Sequence, residues 1–375
     1  MTSKAEAMKL HPRFWLQREC LLAACISSLL LFLAPLRAQE SQEKVTVDDV
    51  SRTFTVHLPT GYNSQQHYPV VILMHGRNQD ADDMARLTHF SQLVADKNGI
   101  IAVYPNAARG QWNFGVRPEQ PAMSMGPRGG GRRGGWGGGG GGYPGGGYPR
   151  GGQSGGQNPD QTRNKPEPAD DVAFFNEMLD QLALKYSIDT HRIYAVGLGD
   201  GGFMALRAGC SIADRVAAVA AVSAALPKTM ICLPSRPVPA LFMAGTDDPI
   251  VPNSGGTYKP GQFHVLSAED SAKAWAKFDR CGEKPAQEKL PASEKGGKET
   301  KTFTFGSCQD NAQVILYSIK GGGNTWPGGE QYLSEKEVGK TSDLNADEVI
   351  WSFLSARKIR ARTERRSSSL PLLSC

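Results

Sequence analysis

From Val70 to Met74 the chain is apolar at every position, and the run stops at His75-Gly76. A strand with one wet face alternates apolar and polar residues. One that is apolar throughout needs cover on both faces, which a parallel sheet between two helix layers supplies. Ile100–Pro105, Val216–Ser223, Pro239–Ala244 and Val314–Ile319 repeat the pattern. Helical stretches stand between such runs: Ala81–Lys97, Asp170–Tyr186, Phe203–Cys210, Ala268–Asp279 and Ala346–Ser355. A strand at Arg192–Val196 precedes the third of these, and an alternating strand within Val45–Leu58 opens the series. This alternation predicts an α/β fold, one domain over residues 45–356 on a doubly wound, mostly parallel sheet.

Outside that core, Lys4, Lys9, Arg13 and Arg18 precede an apolar run, Leu21–Pro35, that leads to Leu36-Arg37-Ala38. This is the layout of a secretory signal over residues 1–38, cleaved after Ala38, and the run is too short for a stable membrane span. Leu22-Ala23-Ala24-Cys25 spells a lipoprotein site, but most of the apolar run follows the cysteine, so a plain signal is the expectation. A secreted or periplasmic location permits disulfides. Cys210 with Cys232 and Cys281 with Cys308 are the sequence-near pairs, one of three connectivities, and Cys375 is left over.

Roughly two-thirds of Gly129–Gly156 is glycine, interleaved with Arg, Tyr, Pro and Trp136. It lies within an insertion over residues 113–168. Such a composition buries too little surface to order itself, and it reads as a solvated loop rather than a nucleic-acid surface. The net charge of +5 is modest, and the basic segment from Arg357 to Cys375 reads as a disordered tail. A role for loop and tail as an adhesion module is a weaker alternative.

Gly197-Leu198-Gly199-Asp200-Gly201 stands between a strand and a helix, where a G-x-S-x-G turn presents a nucleophile at the tip of a parallel sheet. Here the central residue is Gly199. Gly152-Gln153-Ser154-Gly155-Gly156 has the right spelling but neither the strand nor the helix, and is a chance match.

Several further motifs accompany the turn: Leu73-Met74-His75-Gly76, Tyr104-Pro105, Gln111-Trp112-Asn113, Asp170-Asp171-Val172, Gly245-Thr246-Asp247-Asp248-Pro249 and Gly322-Gly323-Asn324-Thr325-Trp326-Pro327-Gly328-Gly329. Together they resemble the secreted α/β-hydrolase esterases of the polyhydroxybutyrate depolymerase and feruloyl esterase type. The resemblance runs from about Thr53 to Leu354. It implies a serine at the position of Gly199, an acid at Asp248 and a histidine at the position of Asn324. It also implies an oxyanion hole from the backbone N–H groups of Arg77 and Asp200, and a ligand cleft touched by His75 and Trp326.

Two of the three triad members are therefore replaced. Glycine has no atom with which to attack a carbonyl, and an asparagine amide does not shuttle a proton near neutral pH. In a comparable triad, loss of the serine or histidine costs about six decades in turnover. The reading is an inactive member of an esterase family that retains a site for an ester, an aromatic acid or a polymer end. The alternative is an active ester hydrolase with a rewired site, Asp200 being the adjacent nucleophile candidate. Asn324 is expected to donate its amide N–H to Asp248. Ser223 reads as a strand-end residue and His264 as part of a connecting segment. No cofactor or metal is expected: Asp171, Asp247 and Asp248 suit loop and helix-start roles, and Gly197–Gly202 does not fit G-x-G-x-x-G.

Overall fold

The computed structural model describes residues 39–116, 169–291 and 299–359. The expected export signal, the glycine-rich body of the insertion and the basic segment beyond Ile359 lie outside these residues.

Six parallel strands form the centre of a ten-stranded sheet. In spatial order they are β4 (Ile101–Pro105), β3 (Tyr68–Met74), β5 (Ile188–Leu198), β6 (Ala218–Val222), β7 (Ala240–Gly245) and β12 (Val314–Ile319). Each edge is antiparallel: β1 (Gln39–Val47) and β2 (Val50–Leu58) lie beyond β4, and β11 (Thr300–Phe305) and β10 (Ala286–Leu290) beyond β12. β10 and β11 carry no apolar run. β10 is almost wholly exposed, and a polar edge strand leaves no hydrophobic signature to find.

The apolar run that opened the argument is buried at all seven positions of β3. Val70, Ile72 and Met74 enter one core with Phe174, Phe203 and Trp275, from α3 (Asp171–Lys185), α4 (Asp200–Ser211) and α5 (Ala268–Phe278). Val71 and Leu73 enter the other with Met84 and Leu87 of α1 (Ala81–Thr88) and Ile350 and Phe353 of α7 (Ala346–Ser355). Each such aliphatic side chain contributes roughly 1.5–3 kcal/mol of burial, so the central strands are held from both faces.

Several boundaries shift for local reasons. The helix expected over Ala81–Lys97 breaks at His89, whose φ is 52°, and continues as a π-helical turn, Ser91–Ala95, into α2 (Asp96–Asn98). β5 runs well beyond Arg192–Val196, and α4 starts at Asp200 rather than Phe203. Gly201 and Gly202, poor helix formers, hide that first turn in the sequence.

Both expected disulfides are present, Cys210–Cys232 and Cys281–Cys308. Closing loops of this length stabilises the fold by about 3 kcal/mol each. The two ends of the insertion also meet: Asn113 donates its backbone N–H to Asp171 Oδ2 at 2.5 Å and its side-chain amide to the Ala169 carbonyl at 2.9 Å.

Strand order reverses between β3 and β5, with β4 on one side and β6 on the other. At such a switch point the loops leaving the strand ends diverge and open a crevice. The loop after β3 and the turn after β5 are the segments carrying Arg77 and Gly199.

Candidate active site

β5 ends at Leu198, and Gly199 turns the chain with φ 54° and ψ −117° before α4 begins. Its N–H donates to the Val222 carbonyl at 2.9 Å, and its carbonyl accepts from Phe203 N–H at 3.0 Å. The turn is tight because its neighbours are glycines. A Cβ on Gly197 would lie 2.2 Å from the Gly201 carbonyl, and one on Gly201 would lie 2.1 Å from the Met74 carbonyl oxygen. Gly199 itself differs. A Cβ there would meet a single atom within 4 Å, Asn324 Oδ1 at 3.7 Å. The turn therefore holds an open place that faces Asn324.

Asn324 and Asp248 arrive on the loops after β12 and β7. These loops cross at a distance only glycine allows, since a Cβ on Gly245 would lie 2.1 Å from the Gly322 carbonyl oxygen. Asp247 N–H donates to that same carbonyl at 3.0 Å. Asn324 Nδ2 donates to Asp248 Oδ2 at 2.9 Å. Asp248 Oδ1 accepts from the backbone N–H groups of Ile250 and Val251, each at 2.8 Å. Burial pushes the Asp248 carboxyl up to about 6, against the pull of those three donors. Asn324 is only 4% exposed. The Tyr332 hydroxyl donates to its carbonyl at 3.0 Å and passes 3.4 Å from Oδ1. Gly199, Asp248 and Asn324 thus come together in the chain order of nucleophile, acid and base in α/β-hydrolases.

A second set adjoins the turn. Arg77 Nη1 pairs with Asp200 Oδ2 at 3.0 Å, and Nη2 reaches Gln111 Oε1 at 3.2 Å. The Tyr258 hydroxyl donates to Asp200 Oδ1. Burial raises the Asp200 carboxyl, with Tyr258 and Arg77 opposing the shift. Both carboxylate oxygens are engaged, so Asp200 has no free oxygen to turn toward the open place at Gly199. Among the described residues, neither the Arg77 nor the Asp200 backbone N–H donates to a protein acceptor.

His75, expected to hold the loop after β3 and to line a ligand cleft, and Trp326, expected at that cleft, both have their ring nitrogens engaged by the protein. His75 is 1% exposed, and both ring nitrogens are committed. Nε2 accepts from Ala107 N–H at 3.1 Å, which leaves Nδ1–H to donate to the Gly76 carbonyl at 2.7 Å. Burial lowers its pKa, so the ring is neutral and braces the loop after β3. Trp326 is fully buried in the core on the α1/α7 face, with its indole N–H on Asp347 Oδ1 at 3.0 Å. His264 lies not in a connecting segment but on β9 (Phe263–Val265), paired with β8 (Gly256–Tyr258).

A family model described as "Putative esterase" matches residues 49–132. "Putative esterase NocK" of Nocardia uniformis subsp. tsuyamanensis is 24% identical over 329 residues, which is 84% of this chain and 83% of that protein. These matches support a relationship to α/β-hydrolase esterases. Feruloyl esterase B of Piromyces equi is 33% identical over 163 residues, 42% of this chain but only 29% of its own length. The solved acetyl xylan esterase from Aspergillus awamori superposes with a TM-score of 0.47 at 12% identity, over 76% of this chain and 94% of that one.

In this fold, Tyr258 and Tyr332 are the residues near the turn that sequence reasoning missed. Each reaches the site from a loop or short hairpin, and neither stands in a motif or at a periodic position. Their role depends on where the hydroxyl ends, which only the folded chain reveals. The described site can offer hydrogen bonds and a shaped surface. It holds no hydroxyl or thiol at the turn, and the one histidine on the adjoining loop has no free nitrogen.

Proposed function

We propose that this protein is an exported, catalytically silent α/β-hydrolase that binds acyl ligands at the place where its relatives cleave them. The observation that carries the reading is the turn at Gly199. It keeps the backbone that orients a nucleophile, and its open side faces Asn324, whose amide is held on Asp248. An amide cannot take a proton from an attacking oxygen and return it to a leaving group. What survives such losses is the oxyanion site and ligand binding, worth about 10³-fold over water.

The roles of Arg77 and Asp200 as backbone donors, and of Asp248 as a retained triad acid, belong to this proposal. Two disulfides support export, since such bonds persist in oxidising compartments. No helix among the described residues is long and apolar enough to cross a membrane. The acyl class is that of the esters named by the relatives.

The test is direct. Purified protein is expected to turn over p-nitrophenyl butyrate and methyl ferulate at no more than a weak background, and a fluorophosphonate probe is expected not to label it. Stoichiometric labelling of any serine would overturn the reading.

A further inference from the structure

The polarity of the Asn324 side chain is fixed by its partner. An ionised carboxylate accepts and cannot donate, so the amide nitrogen must face Asp248, as it does at 2.9 Å. Oδ1 is thereby aimed at the open place on Gly199. Oδ1 lacks a proton of its own. The Tyr332 hydroxyl has one hydrogen, and its better acceptor is the Asn324 carbonyl at 3.0 Å rather than Oδ1 at 3.4 Å. Burial and the Asp248 charge raise the Tyr332 pKa, so that hydroxyl never titrates into a different role near neutrality. Oδ1 is thus left with one long contact, and a buried acceptor met that weakly gains from a closer donor. In a relative with serine at this turn, the nucleophile's own hydroxyl would satisfy the corresponding acceptor. Here only the long Tyr332 contact does so, and a ligand N–H or O–H would be the closer donor.

The residue after Gly199 carries the Asp200 N–H, and the loop paired with it carries the Arg77 N–H, neither with a protein partner among the described residues. The loop bearing Arg77 is tied to Asp200 by the 3.0 Å ion pair. The site therefore offers donors for one oxygen and an acceptor for one N–H or O–H, a pattern that separates three related ligand classes. An ester meets it only in part, because its alkoxy oxygen brings a lone pair against Oδ1. A carboxylate is worse, with no hydrogen and a negative charge near Asp248. A primary carboxamide matches throughout.

We propose that the Gly199–Asn324 site selects neutral primary carboxamides over the matching esters and acids, the amide C=O on the Arg77 and Asp200 N–H groups and its NH₂ on Asn324 Oδ1. The inference rests on the acyl-binding reading above and names its ligand. It requires no covalent step.

The experiment titrates the ¹⁵N-labelled full chain with cinnamamide, methyl cinnamate and cinnamate at pH 7.5, following the backbone amides of Gly199, Arg77 and Asp200. One matched hydrogen bond gained against one mismatch predicts roughly tenfold tighter binding of the amide than of the ester. In Gly199→Ser the serine hydroxyl is expected to donate to Asn324 Oδ1, and the amide preference is expected to fall to within about twofold. Ester or acid binding as tightly as the amide would overturn the selectivity while leaving the acyl-binding function intact. No shift at these amides with any of the three compounds would overturn both.

Discussion

Gly199 and Ser223 occupy matching places on adjacent strands. Each follows the last residue of a parallel strand, Leu198 of β5 and Val222 of β6, and each turns with positive φ, 54° and 50°. Their N–H groups donate in the same way to the next strand, Gly199 to the Val222 carbonyl at 2.9 Å and Ser223 to the Met243 carbonyl at 2.8 Å. The sheet imposes the left-handed turn; the residue does not. At β5 a glycine takes the turn at no steric cost. At β6 a serine takes it, a conformation that costs of order 1–3 kcal/mol. Its hydroxyl lies buried, 3.4 and 3.5 Å from the Gly323 and Thr325 carbonyls of the loop that carries Asn324. Chemistry-bearing geometry and chemistry-bearing atoms are thus separable in one fold. The turn after β5 carries no side chain, while its neighbour carries a hydroxyl that braces a loop.

The largest expected effect breaks the contrast by restoring what the first turn lacks. The pair Gly199→Ser with Asn324→His is expected to raise p-nitrophenyl butyrate turnover by about 10³-fold or more over the parent, since serine and histidine act as one unit. Asn324→His alone is expected to stay at background. A double variant that folds, binds acyl ligands and still gives no turnover would show that the site has lost more than two side chains.

Next in size is the packing that holds the first turn. Gly201→Ala places a methyl 2.1 Å from the Met74 carbonyl oxygen, against backbone that cannot yield. A loss of roughly 3 kcal/mol or more in urea unfolding is expected.

The third concerns Asp248. Its folded pKa, up to about 6, exceeds the ordinary 3.8. A carboxyl raised on folding contributes stability that is fully present below the unfolded pKa and lost as pH rises through the folded one. Stability should therefore fall between about pH 4 and pH 6 by on the order of 2 kcal/mol, and Asp248→Asn is expected to flatten that slope in melts taken across the range. A slope unchanged by the substitution would place the titration elsewhere, with Asp279 and Asp347, both pushed up to about 7 by burial, next to be tested.

The smallest effects compare the two turns directly. Gly199→Ala should destabilise by about 1 kcal/mol, since alanine resists positive φ. Ser223→Gly should be neutral or stabilising by up to about 1 kcal/mol, the relief of strain outweighing two long contacts. Equal and opposite shifts would confirm that the sheet, rather than the side chain, sets both turns.

By itself the sequence determined the layered architecture, because strands buried on both faces must be apolar at every position and β3, β6 and β7 are. It singled out by nearness along the chain one of three cysteine connectivities, the one the structure then shows. It also made the motifs around Gly199, Asp248 and Asn324 readable, because each is contiguous along the chain. Tertiary structure alone decided the rest. The exposed strand β10 has no hydrophobic period to betray it. Only the folded chain closes the core over Trp326 and claims both ring nitrogens of His75. The aim of Asn324 Oδ1, and the tyrosines that reach Asp200 and Asn324, depend on loops crossing at glycines far apart in sequence. Periodicity records what a single element buries. It carries no information about which two loops will meet, and at Gly199 that meeting sets which atom the turn faces.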